Sequence, residues 1–170
     1  MPELPEVEVV KRSLEKIIHN ASIKNVIIYN KKLRYKIEVK KLKNLINSKV
    51  LSIKRRSKYI LINCNNERTI LLHLGMSGKI IIINPKQRKI RSSFYYKLKD
   101  NFEKHNHLKI NFKNNFKLIY NDVRKFGFLK VLKTKNINQN MHLKRLGPEP
   151  FSVTFNFEYF KKSITNKKQF

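Results

Sequence analysis

The sequence predicts an α/β protein of mainly antiparallel strands: a β-sandwich flanked by two helices and followed by the start of a helical segment. Three observations predict it. An amphipathic stretch opens the chain, a long series of short β-branched runs follows, and several of those runs have faces that two stacked sheets would bury. The 170 residues suffice for one good core, or for a domain plus part of another.

Each element has its own signal. Over residues 5–19, Val7, Val10, Leu14 and Ile17 follow helical spacing and form one apolar face. Pro5 suits a first helical turn, and Glu6 and Glu8 sit near the positive end of the helix dipole, while Lys11, Arg12 and Lys16 decorate the other faces. Residues 22–29 read as a strand, and 39–47 as a second helix with Val39, Leu42, Leu45 and Ile46 inward. Strand-like runs follow at 50–55, 58–64, 69–74 and 79–83, with Gly75 and Gly78 marking a tight connection. Residues 84–106 are polar and irregular and predict a long loop. Strands resume at 107–112, 116–120 and 127–132, where Phe116, Leu118 and Tyr120 alternate with Lys117 and Ile119. Residues 134–140 read as a polar linker, 141–146 as a short helix broken by Gly147-Pro148-Glu149-Pro150, and 155–163 as a further helix. The expected division is a first domain over 1–133 and a linker with a second, incomplete domain over 134–170.

Charge is the unusual property. Lys and Arg number 39 against 11 Asp and Glu, a formal net charge of +28. Lys, Asn and Ile enrichment from an AT-rich genome accounts for part of it; a polyanionic partner such as DNA or RNA accounts for the remainder, and self-repulsion weakens the free fold. Cys64 is the single cysteine, so no internal disulfide and no thiolate zinc site can form within these residues. Its strand-like surroundings suit a buried small hydrophobe better than a nucleophile. The longest aliphatic run, Ile80 to Ile83, is far too short to span a membrane, and the opening MPELPEVE carries no signal-peptide pattern. The expectation is a cytoplasmic, monomeric protein.

Six motifs occur in order: MPELPEVE at 1–8, RRSKYILI at 55–62, HLGMSG at 73–78, KHNHL at 104–108, DVRKFG at 122–127 and LGPEP at 146–150. Together they resemble the formamidopyrimidine-DNA glycosylase family over nearly the whole chain. Each internal motif is weak alone, whereas the opening one is highly specific in this company. The resemblance implies an N-terminal β-sandwich joined to a helix–two-turn–helix domain that usually ends in a four-cysteine zinc finger. This chain is expected to hold the first domain and the entry to the second. The zinc ligands would lie beyond residue 170, leaving no cofactor here, no zinc finger, and a possible C-terminal fragment as partner.

The resemblance also implies a function: removal of oxidised purines (8-oxoguanine and formamidopyrimidines) from damaged double-stranded DNA, with cleavage at the resulting abasic site by β,δ-elimination. Pro2 is the implied nucleophile. Removal of Met1 would expose a secondary α-amine, and α-amines titrate near pH 8, far below lysine, so a useful fraction is neutral and nucleophilic. Glu3 is implied to protonate the opening sugar ring, Lys58 to act as a proton-transfer or electrostatic group in the eliminations, and Glu6 to support the amino terminus. Met76, Arg124 and Phe126 match residues that enter the minor groove and fill the gap left by the everted nucleotide, with Arg hydrogen-bonding the orphaned base. His73, His105 and Lys125 match phosphate-contacting positions. Each has a plainer alternative: a helix-start proline, a helix-terminus carboxylate, a surface lysine, a core Met or Phe. DVRKFG departs from the family's DPRRFG at Val123 and at Lys125, which keeps the charge but loses the guanidinium fork. The His105–Asn106–His107 cluster lacks the partners that a metal site needs. LGPEP and the Met–Arg–Phe set favour this family over its sister of endonuclease VIII type, which acts on oxidised pyrimidines. The same residues also allow a DNA-binding remnant without turnover, and the charge alone would suit a basic RNA-related protein.

Overall fold

The structure is a computed structural model that describes residues 2–91 and 102–165. Helix α1 spans Leu4–Ile18 with Glu3 at its N-cap, and the Glu3 N–H donates to Glu6 Oε2 at 2.9 Å, the N3-to-cap bond of a capping box. Its buried stripe is Val7, Val10, Leu14 and Ile18; Ile17, expected inward, packs only partly against the core. The helix stops where Asn20 takes a left-handed φ of 62° and donates its N–H to the Val50 carbonyl at 2.9 Å.

Strand β1 is Ile23–Ile28 and helix α2 is Val39–Lys43. The second helix is thus shorter than the expected 39–47. Its apolar positions Leu42 and Leu45 are buried, but Asn47, at φ 67°, gives its N–H to the Ile23 carbonyl. Pairing to β1 pulls the chain out of the helix before Ile46 can turn inward. The remaining strands are β2 (Val50–Arg56), β3 (Tyr59–Cys64), β4 (Arg68–His73), β5 (Gly78–Ile83), β6 (Lys89–Arg91), β7 (Asn106–Phe112), β8 (Lys117–Asp122) and β9 (Phe128–Lys133).

Two antiparallel sheets result, ordered β1-β7-β8-β5-β6 and β2-β3-β4-β9. Their inner faces and the stripe of α1 share one core, with Ile53, Ile60 and Leu72 from one sheet against Ile80, Leu118 and Tyr120 from the other. The predicted α/β sandwich of antiparallel strands is therefore the observed one.

The expected loop over 84–106 contains β6 and a 3-10 turn at Phe102–His105; part of that loop prediction, 92–101, lies outside the described residues. The three residues of β6 are too few to show a period. Residues Thr134–Gln139, expected as a linker, form a 3-10 turn tied back by Thr134 N–H to the Glu67 carbonyl at 2.9 Å and by a Thr134–Thr69 hydroxyl contact at 2.9 Å. The short helix expected at 141–146 is a series of turns: Leu143 and Lys144 both bond back to the Asn140 carbonyl, but Gly147 and Pro148 follow and no helix propagates. Helix α3 is Phe157–Thr165, starting two residues later than expected because Asn156 caps it, its Oδ1 accepting the Tyr159 N–H at 2.9 Å.

The chain divides into two compact units, 1–137 and 138–170. The first contains both sheets; the second contains α3 and exposes Phe151, Val153, Phe157 and Ile164. No helix among the described residues is long and apolar enough to cross a membrane.

Candidate functional site

The amino-terminal cluster is assembled by an ion pair between elements distant in sequence. Arg55 on β2 donates from Nε to Glu8 Oε2 on α1 at 2.8 Å and from Nη1 to the Ser57 carbonyl at 3.0 Å. One guanidinium therefore fastens the helix to the β2–β3 hairpin and fixes the hairpin's turn. Partial burial pushes the Glu8 carboxyl up, but hydrogen bonds from Arg55 and Arg12, with the Lys11 charge nearby, outweigh it and hold the group below its ordinary value.

The turn itself is Ser57-Lys58, closed by the Arg56–Tyr59 pair, with Ser57 at φ 52°. Lys58, expected as the first strand residue, is thus a turn residue whose side chain is free of the ladder. It reaches the start of α1, where its Nζ forms an ion pair with Glu3 Oε2. Pro2 precedes Glu3 and is half-buried. Pro2, Glu3, Glu6 and Lys58 therefore gather at one place: two carboxylates and a lysine beside a proline whose nitrogen would become a secondary amine on removal of Met1.

The second cluster lies where the chain crosses between the sheets. Residues 74–77 join β4 to β5, and residues 123–127 join β8 to β9, so two short crossovers run side by side at one end of the sandwich. Gly75, at φ 63°, lets them touch: a Cβ there would lie 2.4 Å from Gly127 N. Met76 and Phe126 project from the two crossovers at 43% and 46% exposure, which excludes core packing for both. The Arg124 guanidinium lies 4.7 Å from the Phe126 ring centre, a cation–π contact that orients both side chains. Lys125 is exposed at φ 59°. Together with Arg34 and His73 these residues line an open cleft of about 590 Å³.

His73 links the clusters. It pairs with Tyr59 across β3–β4 and with Phe128 across β4–β9, and its ring stacks on Phe128 at 5.5 Å. Its Nδ1 accepts the Gly75 N–H at 3.2 Å, which leaves Nε2 to carry the proton as a donor. The Ser57-Lys58 turn, which precedes Tyr59, and the two crossovers thus stand at the same end of the four-stranded sheet. His105 ends the 3-10 turn before β7 and is not among the residues lining the cleft. Its neighbour His107 is buried, with Nε2 on the Asp122 carbonyl at 2.8 Å. Among the described residues no group of three His, Cys, Asp or Glu could hold a metal ion.

Several residues of this end escaped the sequence reading. Arg34 arrives from the segment after β1, its N–H bonding the Gly127 carbonyl at 3.3 Å. Tyr59 is half-buried; burial pushes its phenol up, and the Arg34 charge offsets part of that. Asp122 was visible only as a motif letter, yet it is fully buried beneath the crossovers. The scarcity of acids, 11 against 39 Lys and Arg, was the one hint available in the sequence.

Residues 1–129 match the formamidopyrimidine-DNA glycosylase N-terminal domain. The formamidopyrimidine-DNA glycosylases of Rickettsia bellii and Bartonella tribocorum are 35% and 39% identical to the chain, each over 99% of it and over 56% and 57% of their own length. The Lactococcus lactis Fpg in complex with abasic-site DNA superposes with a TM-score of 0.77 at 30% identity, covering 97% of this chain and 57% of that one. The same protein bound to oxidised-pyrimidine DNA gives a TM-score of 0.76 at 29% identity, with coverage of 97% and 57%. The chain thus spans a little over half the length of these relatives. With residues 1–129 matched, the sandwich superposed and all six motifs in order, the chain belongs to the formamidopyrimidine-DNA glycosylase family.

Proposed function

We propose that this chain carries the chemistry of a DNA glycosylase with abasic-site lyase activity, acting in base-excision repair on oxidised purines in double-stranded DNA. The observation that carries the reading is the Glu3–Lys58 pair beside Pro2, at the sheet end that also presents Met76, Arg124 and Phe126. With Met1 removed, the neutral Pro2 amine attacks C1′, forming the N–C bond; the base departs with the electrons of the glycosidic bond and takes up the proton that the amine nitrogen gives up. Glu3 delivers a proton to the ring oxygen as the sugar opens to an iminium. The iminium acidifies C2′; loss of that proton expels the 3′ phosphate, and a second elimination expels the 5′ phosphate. Hydrolysis returns the amine. Lys58, already paired with Glu3, shuttles protons and balances charge during these steps. Glu6 holds the Glu3 N–H and so fixes the direction in which Pro2 emerges.

Met76 and Phe126 offset part of the few kcal/mol lost in extruding a nucleotide, and Arg124 bonds the orphaned partner base. His73, Lys125 and His105 contact phosphate and set register without reading sequence. In this reading residues 1–133 are the catalytic domain and 134–170 belong to the DNA-binding domain, no cofactor is needed within these residues, and the protein acts as a monomer on the DNA of a bacterial cytoplasm, with the remainder of the family's length as a partner if it is supplied separately. The lesion class rests on the Met–Arg–Phe set. Oxidised pyrimidines are the alternative class, favoured by the Lactococcus lactis relative bound to such DNA.

The test is borohydride trapping on an abasic duplex and on an 8-oxoguanine duplex, each at low and high salt. The proposal expects an adduct on the abasic duplex, a weaker one on the lesion, and loss of both with salt, because Lys and Arg contacts release counterions. Salt-sensitive binding with no adduct on either substrate would establish the second reading, binding without turnover.

A further inference from the structure

We propose that Asp122 is a positioning residue: one buried carboxylate that fixes the spacing of the two crossovers and thereby the relative placement of Met76, Arg124 and Phe126. The inference rests on the reading that those three side chains enter DNA. Asp122 is 0% exposed and ends β8, paired with Gly78 at the start of β5. Its Oδ1 accepts the Ser77 hydroxyl at 2.5 Å, and Ser77 Oγ in turn accepts the Arg124 N–H at 3.0 Å. Its Oδ2 accepts the Gly127 N–H at 2.8 Å and lies 3.4 Å from the Tyr120 hydroxyl, which also faces the His73 carbonyl at 3.2 Å. A single side chain therefore grips the 123–127 crossover at both ends and the 74–77 crossover through Ser77.

The chemistry of this cradle calls for a carboxylate. The Ser77 hydroxyl donates to one Asp122 oxygen and the Gly127 N–H to the other, and a carboxylate offers acceptors on both; the single Tyr120 hydroxyl proton lies between Oδ2 and the nearer His73 carbonyl. Charged acceptors also make the stronger hydrogen bonds, and a low local dielectric strengthens them further. An asparagine would turn a donor toward either the Ser77 hydroxyl or the Gly127 N–H. The carboxylate is met by hydroxyls and a backbone N–H rather than by a cation, so Arg124 and Lys125 stay available to face outward. A wedge that must hold bases apart gains from such stiffness, since the backbone of the crossovers that carry its side chains is already held in place before insertion.

The test uses Asp122→Asn and Ser77→Ala in the full chain, the latter removing only the link between crossovers. Each is mixed with a duplex that carries a tetrahydrofuran abasic analogue opposite 2-aminopurine, whose fluorescence rises when its stacking is disturbed. Anisotropy reads affinity, and thermal melting reads the fold. The expected result is near-parental anisotropy at low salt with loss of most of the fluorescence rise in both variants. A full rise in both, with the Met76→Ala/Phe126→Ala double variant losing it, would overturn the role of Asp122 and leave the wedge standing. A full rise in that double variant would instead overturn the wedge reading. Parallel loss of melting temperature, affinity and fluorescence in both variants would show a merely structural acid and also overturn the proposal.

Discussion

Replacing Glu8 with Gln should loosen the hairpin that carries Lys58, and the size of the effect follows from the geometry. The Arg55–Glu8 contact is 2.8 Å long, with side-chain exposures of only 15% and 25%. Hydrogen bonds to charged groups contribute about 1.5–3 kcal/mol in such settings. A Gln keeps a neutral acceptor, so the expected loss is about 1–2 kcal/mol, a fall in melting temperature on the order of 5 °C. The pH dependence carries the sign. The folded state holds the Glu8 carboxyl below its ordinary value of 4.5, so its contribution is complete above that pH and is lost as pH falls through the folded value. The gap between parent and variant should therefore be constant near pH 7 and close on acidification. Thermal melts across that range, with borohydride trapping at about pH 7 as a second readout, check both the size and the sign. A gap that persists undiminished in acid, or no gap at neutral pH, would refute the assignment.

Other substitutions separate fold from chemistry. Lys58→Met should leave stability within about 1 kcal/mol, because the Glu3–Lys58 pair is 54% and 32% exposed and such pairs contribute little, while strand cleavage at an abasic site falls sharply; a large drop in melting temperature would contradict this. Gly127→Ala should cost about 3 kcal/mol in urea denaturation, since its Cβ would lie 1.9 Å from the Tyr120 hydroxyl and 2.6 Å from the His73 carbonyl oxygen; an unchanged midpoint would show that the crossovers are looser than these distances imply. Met76→Ala and Phe126→Ala should impair processing of a paired lesion more than of a single-stranded or ready-made abasic site, and equal defects on all three would assign both residues to the fold alone.

What the sequence disclosed and what it hid divide along sequence distance. Short contiguous motifs carried Pro2, Glu3 and Met76, and periodicity carried α1 and the long strands, because the signals for both lie within a few residues. The parts that align the site come from pairs far apart: Glu8 with Arg55 and Ser77 with Asp122 each connect different elements, and no local pattern marks them. Element ends were lost for the same reason. Asn47 leaves the second helix to meet Ile23, and Thr134 is tied back to Glu67, both tertiary bonds that override local preference. Lys58 changed from strand to turn because the Arg56–Tyr59 pair closes the hairpin around it, and that shift is what lets it reach Glu3.

The proposed chemistry stands or falls on the reactive amine being Pro2 rather than Lys58. Peptide mapping of the borohydride-trapped adduct on an abasic duplex distinguishes the two. The expected crosslink lies on the amino-terminal peptide, is abolished when the α-amine is blocked and is retained in Lys58→Met. A crosslink that maps to Lys58 and survives Pro2→Gly would contradict the assignment.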